Sequence, residues 1–208
     1  VQIQQWLKEK MIDPGYARVD TVFTGPWTTN MRNSLNQGVS FFGYRGYYGM
    51  SGWGTSYIYS LTNTEMLPFT LNLTCGTGSF YSGTSINEAW LRAWSSSYGH
   101  IGGIGSIATA TLATHTRYNN CYYGGAAYGL YWLDNHHQGM AGYRGKIELI
   151  LNYEDYEYAE SAKFIWWNNL MGDPATEIWT DVPVLLTVDH PATLAIGADH
   201  IDVTVTKA

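Results

Sequence analysis

Cys75, Cys121 and six histidines are the residues of this chain with which nucleophilic chemistry would begin. A thiol acts as a nucleophile only as its thiolate, so it needs a general base to remove the proton and N–H donors to hold the developing oxyanion. Cys75 stands in Cys75-Gly76-Thr77-Gly78-Ser79-Phe80, directly after the apolar run Phe69-Thr70-Leu71-Asn72-Leu73-Thr74. A glycine-rich turn closing a buried strand, with a helix to follow, is a setting in which backbone N–H groups lower a thiol pKa. The competing reading is a small buried residue, since free Cys is among the most buried types. His115 follows the next apolar run and is the one histidine placed to serve as base; a lone loop histidine is more often simply solvated. His136 and His137 are adjacent, point to different faces of a helix and make a poor metal pair. Glu154, Asp155, Glu157 and Glu160 form an acidic cluster that would suit a structural Ca²⁺ or, more commonly, a solvated helix start. Apart from that possible Ca²⁺, no cofactor is expected.

The elements that must position these groups follow from apolar runs bounded by Gly and Pro. Ala17–Phe23, Val39–Phe42, Phe69–Thr74 and Ile104–Thr111 are expected to form a mainly parallel sheet, with helices on both faces. Ligands collect beyond the carboxyl ends of such strands, which places Tyr47 and Cys75 at one edge. Helices are expected at the N-terminus, over 29–37, as a short turn near Tyr57, and over Ile86–Trp94. The last has a capping box from Thr84 or Ser85 with Glu88. Three more are expected over Cys121–His137, Gly142–Asn152 and Tyr156–Leu170. After Gly172-Asp173-Pro174 the pattern changes to short alternating runs separated by Pro and Gly.

The same residues carry a family resemblance. The order of strand, Tyr44-Arg45-Gly46, Ser51-Gly52-Trp53, strand, Cys75-Gly76-Thr77-Gly78-Ser79-Phe80 and Asn87-Glu88-Ala89-Trp90-Leu91-Arg92-Ala93 resembles the gingipain-type cysteine peptidases. So does Leu170-Met171-Gly172-Asp173-Pro174, and the likeness covers roughly residues 1–180. It implies a three-layer caspase-like α/β domain, of which residues 1–180 are the C-terminal part, followed over 181–208 by the start of an immunoglobulin-like β-sandwich. It also implies a dyad of a histidine in the first turn and Cys75 in the second. Here, however, Tyr47 falls on that histidine and Tyr48 on the glycine after it. A phenol with a pKa near 10 is neutral at pH 7 and does not take a thiol proton. The expectation is therefore a domain that has lost its chemistry and serves binding or assembly. The alternative is an active endopeptidase with Cys75 as nucleophile and His115 recruited as base.

Bulk composition sets the partners. The net charge of −6 and the absence of a basic run argue against nucleic acid, and no apolar run reaches the ~20 residues of a membrane span. Charged residues are only 13%, while Tyr and Trp number 17 and 9. Such an aromatic, weakly charged surface suits an extracellular or cell-surface protein that buries faces against other chains. The expected partners are like subunits or the remainder of a longer precursor. Two cysteines make a poor disulfide framework and are expected as free thiols.

Overall fold

A computed structural model describes residues 2–12, 16–46, 49–180 and 184–207, the side chains of 154–158 excepted. Tyr47, Tyr48, the Asp13-Pro14-Gly15 stop, and the side chains of Glu154, Asp155 and Glu157 lie outside the described residues.

Four strands form the central sheet: β1 (Phe41–Tyr44), β2 (Phe69–Asn72), β5 (Gly105–Thr109) and β6 (Asn168–Met171). The order is β1-β2-β5-β6; the first three are parallel, and β6 runs antiparallel to β5. Helices α1 (Gln2–Ile12), α5 (Thr116–Tyr131) and α6 (Gln138–Trp167) share one apolar core, and α2 (Trp27–Asn36), α3 (Thr55–Ile58) and α4 (Ile86–Arg92) share the other. β2 shows why this needs a doubly covered strand. Phe69, Leu71 and Leu73 belong to the first core, while Thr70 and Asn72 are equally buried on the opposite face. Those two polar side chains survive burial by bonding: Thr70 Oγ1 donates to Ser106 Oγ at 2.7 Å, and Asn72 Nδ2 donates to both hydroxyls. Asn72 is thus fully buried, which keeps the formal glycosylation sequon Asn72-Leu73-Thr74 out of reach in the folded chain.

Two hairpins complete the chain: β3 (Trp94–Ser95) with β4 (Gly99–His100), and β7 (Leu186–Asp189) with β8 (Thr204–Lys207). The capping box of α4 is as expected, with Ser85 as N-cap and Glu88 reaching back to its N–H at 2.8 Å.

Three expectations are corrected. Ala17–Phe23 is not a strand: its segment joins no ladder. Its Val19 and Val22 lean into the two different cores, and Gln4 Nε2 of α1 takes the Gly43 carbonyl of β1. The helices expected over Gly142–Asn152 and Tyr156–Leu170 are one 30-residue helix, α6, because 152–156 contains neither Gly nor Pro to break it. Asn168–Leu170 leaves that helix to become β6, and α5 begins at Thr116 and ends at Tyr131, so His136 and His137 lie in a loop.

Helix α6 packs closely on α5: a Cβ at Gly145 would lie 2.7 Å from the Tyr122 ring. This packing sets an alkaline limit. Burial pushes Cys121 up to about 12 and raises Tyr122, Tyr123 and Tyr131 well above the usual phenol value. The folded state therefore holds protons that the unfolded chain releases from about pH 9 for Cys and pH 10 for Tyr. Their contribution is complete below those values and lost as pH rises. A urea midpoint that falls steadily from pH 9 to 12 is expected, with an onset delayed by Cys121→Ala. A flat profile over that range would show that these groups titrate equally in both states.

Candidate functional site

The turns after β1 and β2 meet at the carboxyl edge of the sheet. Gly49 N–H donates to the Cys75 carbonyl at 2.9 Å, and Thr74 Oγ1 donates to the Gly46 carbonyl at 3.3 Å. The strands leading to Tyr47 and Cys75 are therefore neighbours, in register from Phe41–Phe69 to Tyr44–Asn72. The Cys75 turn is held from below: Gly76 N–H donates to Thr111 O at 2.7 Å, and Gly78 N–H donates to Thr109 O at 3.0 Å. Gly76 has φ +76°, and a Cβ there would press on Leu112 at 2.8 Å, so this position requires glycine. Those bonds also commit the Gly76 and Gly78 donors to the protein itself.

Cys75 is half-buried and unbridged, as is Cys121. Its Sγ lies 2.8 Å from Thr114 Oγ1. The helix after Cys75 starts at Ile86, and its first turn meets the Cys75 turn where Asn87 N–H donates to Thr77 O at 2.9 Å. The start of α5 is also near the thiol, since its N-cap His115 follows Thr114. His115 is exposed, its Nδ1 accepts from Arg117 N–H at 3.3 Å, and its ring meets Tyr118 edge-on at 5.6 Å. Among the described residues no imidazole bonds the Cys75 thiol.

Arg45 escaped the sequence reading as more than a pattern match. Its Nε donates to Asn120 Oδ1 at 2.9 Å and its Nη2 to Thr116 O at 3.4 Å. Among the described residues it has no carboxylate partner, and desolvation lowers its pKa to about 10, with Tyr123 and Cys75 opposing that shift. A lone Arg directly after a strand made of Phe, Gly and Tyr was the available signal. Thr114 carried none.

His136 and His137 are structural in placement. His136 Nε2 lies 2.9 Å from Asp134 Oδ1 and 3.1 Å from Thr180 Oγ1. His137 pairs with Glu177 as an isolated antiparallel bridge, so the Asp173–Thr180 segment is strapped onto the start of α6. Among the described residues no group of three His, Cys, Asp or Glu is arranged to hold a metal, and Glu160 pairs with Lys163 at 2.6 Å.

A family model described as Peptidase family C25 matches residues 4–179. Gingipain R2 from two strains of Porphyromonas gingivalis is 22% identical over 213 residues, covering 98% of this chain and 28% of the relative. The crystal structure of the Arg-specific cysteine proteinase gingipain R has a TM-score of 0.82 at 22% identity, over 98% of this chain and 48% of that one. A complex of Porphyromonas gingivalis gingipain pro- and mature domains gives 0.81 at 22% identity, over 99% and 50%. The chain spans less than a third of its curated relatives and about half of these structures. No described helix is long and apolar enough to cross a membrane.

Proposed function

The chain belongs to peptidase family C25, and we propose that within it this is an extracellular, catalytically degenerate peptidase-fold domain that works as a binding or assembly module. The observation that carries the reading is the pairing at the thiol. Cys75 Sγ meets the Thr114 hydroxyl, and the residue aligned with the family's histidine is Tyr47. A hydroxyl neither takes the thiol proton at neutral pH nor stabilises the thiolate as an imidazolium does. The second reading, an active endopeptidase with Cys75 as nucleophile and His115 as base, is favoured by one contact. Thr114 brings the residue before His115 against the thiol, so a rotation of the α5 N-cap would bring the ring nearer.

For assembly, support comes from residues 184–207, read as the start of an immunoglobulin-like module. Every residue there is exposed, including Leu185 at 80% and Leu186, Val188, Ile201, Val203 and Val205 at about half. In the register of the hairpin Leu186, Val188 and Val205 share one face, and an exposed apolar face on a two-stranded hairpin calls for a covering partner. The expected result of light scattering is a concentration-dependent mass above the 23.3 kDa of one chain. Leu185→Lys with Leu186→Lys should return it to one chain. A monomer at every concentration, with the hairpin retained, would contradict self-assembly.

A further inference from the structure

We propose that the outer edge of β1 is a binding groove for an extended acidic peptide, which adds to the sheet as a strand and sets a carboxylate on Arg45. This rests on the binding-module reading and names the class of its ligand.

Strand β1 is the sheet's edge. Ser40 O accepts from Phe69 N–H at 3.0 Å, so the backbone groups of Phe41 and Gly43, one and three residues on, turn away from β2. Of these, Gly43 O is taken by Gln4, and no described backbone group pairs with the others. β1 lines a cavity of about 520 Å³ together with residues 18–23. Its volume is in the range of ligand sites. Leu7, Met11, Met31, Leu35 and Phe41 give it an apolar floor. An unpaired strand edge beside such a cavity is a template for a guest strand.

Charge selects the guest. On the groove wall Arg18 is neutralised by Asp20, to which it donates two bonds near 3 Å. Arg45 and Lys8 also line it, and neither has a carboxylate partner among the described residues. A groove with two uncompensated cations on a chain of net charge −6 favours an acidic guest over a neutral one. Arg45 uses Nε and one Nη2 bond on α5 and leaves Nη1 without a bond to any described residue, an open donor for a carboxylate. The outer edge of β1 is the one opposite β2, the strand that leads into the Cys75 turn.

The test is fluorescence anisotropy with a rhodamine-labelled Val-Thr-Val-Thr-Val-Glu amide, its Gln counterpart, and a form N-methylated at alternate amides. The intact protein should bind the Glu peptide at least tenfold tighter than the Gln peptide. Arg45→Gln should abolish that difference, and N-methylation should weaken binding at least tenfold. Mass spectrometry of the peptide afterwards separates the two levels of the account. An intact, bound peptide supports both. Cleavage that disappears in Cys75→Ala refutes the degenerate reading. No binding, equal binding by Arg45→Gln, or undiminished binding of the N-methylated peptide overturns the groove while leaving the binding-module reading standing. So does hydrogen exchange showing the 17–23 amides already as protected as those of β2, because the groove is then closed by the chain itself.

Discussion

Replacing Trp90 with Ala is expected to cost about 3–5 kcal/mol of stability, a large part of the ~5–15 kcal/mol that holds a domain of this kind together. Trp90 is completely buried and, with Trp53, is the largest side chain of the α2–α4 core. Its ring lies 5.4 Å from Phe42 and 6.3 Å from Trp53, and its carbonyl accepts from Gly103 N–H at 2.8 Å. Truncation leaves a cavity between α4 and the sheet that a two-turn helix cannot collapse to fill. The loss should reach the site as well, because Asn87 N–H of α4 donates to Thr77 O in the Cys75 turn at 2.9 Å. Urea midpoints give the measurement. Trp166→Ala, at a residue 74% exposed, is the control and should change stability by less than ~0.5 kcal/mol. Equal effects at the two positions would refute the packing described for α4.

The second large effect is a gain. Tyr47→His with Tyr48→Gly restores the histidine and glycine of the family pattern, and general-base catalysis is worth about 10²–10⁴-fold. Hydrolysis of a denatured protein substrate by the double variant is expected to exceed that of the parent by at least tenfold, and Cys75→Ala should abolish the gain. Tyr48→Gly alone should give nothing, since a bare oxyanion site without a thiolate has no reaction to accelerate. A folded double variant as inactive as its parent would place the lesion elsewhere than in these two residues.

Much of the sheet and its site could be read before any coordinates. Phe69–Thr74 is apolar on one face and bounded by Pro68 and a glycine turn, and a buried strand is the only element that fits so short a run. Ser85 and Glu88 announced the start of α4 because a capping box is local chemistry. Ala17–Phe23 misled for the converse reason. Alternation shows that a segment can form a strand, but a ladder needs an edge of matching length, and here α1 has taken Gly43 O. β6 was hidden because Asn168-Asn169-Leu170-Met171 continues a helical run without a breaker, and only pairing with β5 pulls it out. At the site, the juxtaposition of Tyr47 and Cys75 turns followed from the two strands being neighbours. The Thr114 contact did not, because it joins residues 39 apart through tertiary packing alone.

The central claim is that Cys75 has no working base, and its alkylation rate as a function of pH tests this most directly. Iodoacetamide should label Cys75 slowly at pH 6 and faster only as the solution is made alkaline, with His115→Ala leaving the profile unchanged. Rapid labelling at pH 6 that His115→Ala abolishes would contradict it and make this chain a working cysteine peptidase.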